Sequence, residues 1–199
     1  VQVATLLIDN GADINNRDAS GNTALMWTAQ RGTKQVAMLL IEHGADIDAG
    51  NNAGATALMM AAEKGYMDGV TLLIDHGAGI EEKDNIGKTA LMWSAQNSGT
   101  KEVAAFLIGH GADPNAKDNY GGTALMLAAQ SGKLGIATLL IEHGADTKAA
   151  DINGYTSLTW AAQAGHVDVA ALLIEHGADV NSKTTSDLTA LSSTRPLID

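Results

Sequence analysis

The chain has no cysteine in 199 residues, so it can form no disulfide, no thiolate metal site and no cysteine nucleophile. This absence does not choose a compartment, because a cysteine-free chain is at ease in an oxidising or a reducing setting, and cytoplasm and periplasm are both allowed. Cations are also scarce: 12 Lys and Arg against 23 Asp and Glu leave a net charge of −11. Binding to nucleic acid or to an anionic membrane needs a basic patch, and there is no excess of Lys and Arg to build one. The acidity favours solubility and suits a basic partner. No apolar run reaches the roughly 18 residues of a membrane span. No signal peptide is visible, but the chain opens on Val1 rather than Met, so an upstream segment stays an open question. Aromatics are only 4 % while apolar residues reach 45 %. A core of small and aliphatic side chains is therefore expected, which suits short, closely packed helices.

What the sequence does contain is repetition. A Gly-x-Thr-Ala-Leu motif places its threonine at Thr23, Thr56, Thr89, Thr123 and Thr156, the last in the variant Gly154-Tyr155-Thr156-Ser157-Leu158. A sixth copy, Asp187-Leu188-Thr189-Ala190-Leu191, has lost the glycine, and the steps are 33, 33, 34, 33 and 33 residues. A second marker keeps the same phase: Gly11-Ala12-Asp13, Gly44-Ala45-Asp46, Gly77-Ala78-Gly79, Gly111-Ala112-Asp113, Gly144-Ala145-Asp146 and Gly177-Ala178-Asp179. Two markers holding one period across the chain indicate a repeat architecture.

Each unit reads alike. Threonine caps a short first helix, Thr23 to Gln30 in the first full unit, and Gly32 ends it. A second helix follows over Lys34 to His43, with Val36, Leu39, Leu40 and Ile41 at helical spacing, and Gly44 stops it. The stretch up to Ala55, rich in Asp, Asn and Gly, reads as an extended finger with a tight turn. This unit resembles the ankyrin repeat, whose 33-residue pattern of a β-turn and two antiparallel helices carries Thr-Pro-Leu-His-x-Ala. The resemblance covers nearly all of Val1 to Leu191. It implies an all-α repeat solenoid of stacked helix-turn-helix units with β-hairpin-like fingers. The expected division is a half-repeat at 1–13, full repeats at about 14–46, 47–79, 80–113, 114–146 and 147–179, and a partial repeat at 180–199.

The departures carry their own expectations. The family's proline is Ala24, Ala57, Ala90, Ala124, Ser157 and Ala190, which keeps the helix but gives up the preset first-turn dihedral. The family's histidine, which hydrogen-bonds between units, is Met26, Met59, Met92, Met126, Thr159 and Ser192. The fold should survive, with the inter-repeat polar network largely absent. Val1 to Asn10 matches a second helix only. Thr189 to Thr194 should form one short helix before Pro196. An extra residue within Gln96-Asn97-Ser98-Gly99 lengthens an inter-helix turn in mid-stack.

Little in this pattern supports catalysis. His43, His76, His110, His143 and His176 share one repeat position, but packed helices lie about 8–10 Å apart. Ligand distances near 2 Å would be needed to share an ion, so these residues read as helix C-terminal cations and no metal or cofactor is expected. Asp18, Asp84, Asp118 and Asp151 also share a position, one that the family uses to brace its finger turn. An active site needs one asymmetric cluster, and no phosphate loop, nucleophile arrangement or zinc spacing appears.

The binding signal is stronger. Trp27, Met60, Trp93, Leu127 and Trp160 each stand four residues after a repeat threonine, a position that by resemblance looks into a concave groove. Binding hot spots favour such side chains, although the same position could instead pack between first helices. At the fingers, Ile86, Tyr120, Ile152 and Tyr155 make the C-terminal half the expected contact region, and the other finger positions look free to vary. The expectation is a non-catalytic, monomeric scaffold for a folded protein partner. An inhibitor or immunity protein covering an enzyme's active site is an alternative, since the Thr-Ala-Leu-Met-Trp variant resembles bacterial ankyrin proteins, some of which act so. A spacer segment of a longer array is another.

Overall fold

A computed structural model of the chain describes residues 1–96 and 98–194. In order, its helices are α1 (Gln2–Asp9), α2 (Ala24–Arg31), α3 (Lys34–Glu42), α4 (Ala57–Lys64), α5 (Met67–Asp75), α6 (Ala90–Ser94), α7 (Lys101–Gly109), α8 (Ala124–Gln130), α9 (Leu134–Glu142), α10 (Ser157–Ala164), α11 (Val167–Glu175) and α12 (Ala190–Ser193). The even-numbered helices are the first helices of successive units, and the odd-numbered ones are the second helices. First helices pack on first helices and second on second, so the molecule is an all-α repeat solenoid.

The repeat threonines start the first helices. Thr23 is extended and its side-chain oxygen accepts the Met26 backbone N–H, which relieves one of the orphan donors of a helix N-terminus. Thr56, Thr123, Thr156 and Thr189 do the same for α4, α8, α10 and α12. Glycines in the left-handed region, Gly32, Gly65 and Gly165, close α2, α4 and α10. The second helices end on the repeated histidine. In His43, His76, His110, His143 and His176 the ring Nδ1 lies 2.8–2.9 Å from the carbonyl four residues earlier. A carbonyl can only accept, so Nδ1 carries the proton and each ring caps its own helix. Thus the ladder seals helix ends, one ring per unit.

The core runs through the stack. Leu25, Leu58, Leu91, Leu125 and Leu158 are all essentially inaccessible, as are Leu73, Leu107, Leu140 and Leu173 of the second helices. Met26, Met59, Met92 and Met126, which replace the family's histidine, are also fully buried. Met26 and Met59 turn inward locally, with sulfur accepting the N–H of the capping threonine. The expected loss of the inter-repeat polar network does not follow, because other residues carry one. Asn15 accepts the Asp46 N–H, Asp48 accepts the Gly79 N–H, Glu81 accepts the Asp113 N–H and Asn115 accepts the Asp146 N–H. These bonds join the loops at the two ends of a unit, while the Asn51 amide donates to Asn22 Oδ1 and the backbone N–H of Asn52, Asn85, Asn119 and Ile152 to the finger before, so the polar links between units lie in the fingers.

The insertion shortens its own first helix. α6 spans 5 residues where α2, α4 and α10 span 8. Gly99 then passes so close to the Ser94 carbonyl that a Cβ there would collide with it. Asn97 within the insertion and Pro196 beyond α12 lie outside the described residues. At the ends, α1 and α12 bury no residue, and a cavity of about 440 Å³ lies between α1 and α2.

Candidate functional site

Each finger is a turn held by one side chain. Asp18 Oδ1 accepts the backbone N–H groups of Ser20 and Asn22 at 2.9 and 2.8 Å. Asp84, Asp118 and Asp151 repeat the arrangement with Ile86 and Lys88, Tyr120 and Gly122, and Asn153 and Tyr155. Asn51 does it with an amide oxygen, and Thr184 with a hydroxyl. Oδ1 is thus consumed by the turn, which leaves Oδ2 to face the first helix of the same unit.

That second oxygen explains two of the tryptophans. The Trp27 indole N–H donates to Asp18 Oδ2 at 3.0 Å, and Trp93 donates to Asp84 Oδ2 at 3.0 Å. Bonds from the Asn22 backbone first, then from the Asn22 side chain, the Ser20 N–H and the Trp27 indole, hold the Asp18 carboxyl below its ordinary value, opposed in part by desolvation. The pairing missed by sequence reasoning had a partial signal: Asp and Trp stand nine residues apart at Asp18 and Trp27 and at Asp84 and Trp93, although the same spacing at Asp151 and Trp160 forms no such bond among the described residues. The unit with Asn51 has Met60 in place of Trp.

The fingers are themselves stitched together. The backbone N–H of Asn52, Asn85, Asn119 and Ile152 donates to the carbonyl of Ser20, Ala53, Ile86 and Tyr120 in the preceding finger. The side-chain amides of Asn52, Asn85 and Asn119 reach back to Ala19, Asn52 and Asn85 carbonyls. These three positions are therefore constrained by the fold, contrary to the reading that finger positions are free of structural demand. Ile152 occupies the same position without an amide and projects 63 % exposed.

The groove candidates separate by burial. Trp27 is 38 % exposed, Met60 only 7 %, and Trp93, Leu127 and Trp160 are half-buried. Met60 belongs to the core, so the row of side chains is interrupted there. Ile86 and Tyr120 project from their fingers, 41 % and 57 % exposed, while Tyr155 is half-buried with its ring 5.0 Å from that of Trp160. The structure brings Tyr120, Leu127 and Trp160 together with Asp118, Gln130 and Asp151 around a pocket of about 120 Å³ between fingers and first helices. A neighbouring cavity of about 300 Å³ shares Gln130 and Trp160 and extends to Gln163 and Ala164. Trp27 lies apart, in the wall of the cavity beside α1, with the Arg31 guanidinium 5.2 Å from its ring centroid. Among the described residues no group of three His, Asp or Glu could hold a metal ion, and no helix is long and apolar enough to cross a membrane.

Helix pairs stacked in register, with turn-capped fingers between them, define a helical repeat solenoid whose continuous face is suited to contact. The chain belongs to the ankyrin repeat family: the family model for ankyrin repeats matches in three overlapping copies, over residues 1–84, 52–118 and 91–184. A comparison with curated proteins gave no match. Ankyrin repeats are generally protein–protein interaction modules, and proteins built from them are typically non-enzymatic binding scaffolds.

Proposed function

We propose that this protein is a non-catalytic scaffold that binds a folded protein partner through the face formed by its fingers and first helices. One observation carries the reading: Ile86, Tyr120 and Ile152 stand exposed on successive fingers above half-buried Trp93, Leu127 and Trp160. Large apolar and aromatic side chains on a preformed surface supply binding energy with little ordering cost on this side of the interface. The contact is weighted toward the C-terminal half, because the first two fingers present Ser20 and Ala53 where the next two present Ile86 and Tyr120.

The test compares wild type with a Tyr120→Ala, Ile152→Ala, Trp160→Ala variant in affinity capture from the source cell extract. Tyr120 and Ile152 carry little packing but Trp160 packs partly on the core, so the circular dichroism spectrum is compared first, and the Tyr120→Ala, Ile152→Ala pair is used if the triple variant departs from wild type. A protein retained by wild type and lost by the folded variant supports the reading. Equal retention by both removes the contact from this face.

A further inference from the structure

We propose that the pocket between the fourth and fifth fingers receives an arginine side chain of the protein partner. This rests on the protein-binding reading above and adds to it the chemistry of one subsite. The walls are Asp118, Tyr120, Leu127, Gln130, Asp151 and Trp160. Among the described residues, no donor reaches Oδ2 of Asp118 or Asp151, although Oδ1 of each holds two turn N–H groups. The ion pairs among those residues join Lys34 to Asp68, Lys64 to Glu63 and Lys183 to Asp187, so neither carboxylate has a cation of its own.

Comparison between units shows why these two oxygens are free. In the first and third full units the same oxygen accepts an indole N–H, from Trp27 and from Trp93. In the fourth unit Leu127 stands where the tryptophan would be, so Asp118 Oδ2 loses its donor. The preceding residue in that finger's approach to the helix is Gly122, where a Cβ would come within 2.7 Å of Asp118 Oδ2. In the fifth unit the Trp160 ring lies against Tyr155 instead of presenting its N–H to Asp151. The result is two carboxylate oxygens beside a half-buried indole and an exposed phenol ring.

The molecule also shows what a guanidinium does on such a tryptophan. Arg31, four residues after Trp27, places its guanidinium 5.2 Å from that ring centroid. The residue four after Trp160 is Ala164, which lines the adjoining cavity, so among the described residues no guanidinium lies over the Trp160 ring. A cation over an indole face gains from the ring quadrupole, and a planar guanidinium can in addition donate to carboxylates on either side. A volume of about 120 Å³ matches about four waters at their liquid share of about 30 Å³ each, enough for the end of an arginine side chain. The net charge of −11 steers a basic segment toward the molecule.

The probe is N-acetyl-arginine methylamide, titrated into the full chain and followed by ¹H–¹⁵N NMR, with N-acetyl-citrulline methylamide as its neutral counterpart. The expected result is saturable shifts at the Tyr120, Gly122 and Tyr155 amides and the Trp160 indole, with arginine binding about ten-fold more tightly than citrulline. Asp118→Asn with Asp151→Asn should weaken arginine about ten-fold. These variants should fold, because Asn51 already braces its own finger with an amide oxygen. Asp18→Asn, in a finger whose Oδ2 serves Trp27, should leave binding unchanged. Equal binding of citrulline, an unaffected double variant, shifts centred elsewhere or no saturable shift would each overturn the pocket. A partner captured through Tyr120 and Ile152 with undiminished affinity for the double asparagine variant also overturns it, while leaving the scaffold reading intact. Arginine bound at the pocket with no partner held by this face supports the pocket and removes the scaffold reading instead.

Discussion

At the scale of single residues, much of this fold depends on glycines that do two things at once. Gly87 has φ +84°, a region that L side chains rarely adopt, and a Cβ there would come within 2.7 Å of the Asn119 backbone nitrogen. Gly44 has a similar φ of +87° but open space around it. Alanine at Gly44 should therefore cost only the backbone penalty, about 1 kcal/mol. Alanine at Gly87 should cost more, about 2 kcal/mol or above, because the next finger must also move away. Chemical denaturation of the two variants measures the difference, and equal losses would show that finger-to-finger contact is looser than described. Gly87 belongs to the Gly-x-Thr-Ala-Leu marker and Gly44 to the Gly-Ala-Asp marker, but neither marker by itself shows what stands around its glycine. The crowding comes from a residue 32 positions further along the chain, seated there by the stacking.

At the scale of the element, one repeated threonine has two different fates. Thr56 caps α4 with its side chain, and Thr156 caps α10 likewise. Thr89 opens α6 but its hydroxyl is buried without a hydrogen-bond partner among the described residues. The helix that it opens is the one shortened by the insertion at Gln96–Gly99. Thr56→Val should lose about 1 kcal/mol, the ordinary value of an N-cap. Thr89→Val keeps the shape and removes an unpaired hydroxyl, so it should be neutral or slightly stabilising. Thermal unfolding of the two variants checks this; a loss at Thr89 equal to that at Thr56 would mean that its hydroxyl does cap the helix in solution. Both threonines look identical in the Gly-x-Thr-Ala-Leu motif, because the motif does not carry the side-chain geometry on which capping depends.

At the scale of the whole molecule, stability passes from neighbour to neighbour, since each unit buries its apolar face only on the next. α1 and α12 bury no residue, whereas α4 and α8 bury most of theirs. Native-state hydrogen exchange should therefore show amides of α4 to α10 as the most protected, with α1 and α12 exchanging first. Leu125→Ala, at a fully inaccessible site in α8, should cost about 3–5 kcal/mol and separate unfolding of the two halves. Uniform protection along the chain, or a single sharp transition in that variant, would contradict a nearest-neighbour stack.

The sequence by itself determined the period, the helix pairs, most of their threonine caps (Thr89 excepted) and the left-handed glycines, because each rests on signals within one unit: an apolar spacing, a threonine three residues from an N–H, a glycine at a turn. It also named the exposed finger residues Ile86, Tyr120 and Ile152. Tertiary structure decided the rest of the candidate site. Met60 and Trp27 occupy the same repeat position, yet one is buried and the other open, because their neighbouring units cover them differently. Asp84 and Asp151 each have a tryptophan nine residues on, yet of the two, among the described residues, only Asp84 is bonded to an indole, while the Trp160 ring lies against Tyr155. Burial depends on the residues that arrive from adjacent units, and the pairing of a ring on the packing it meets, and both become definite only once the chain is folded and stacked.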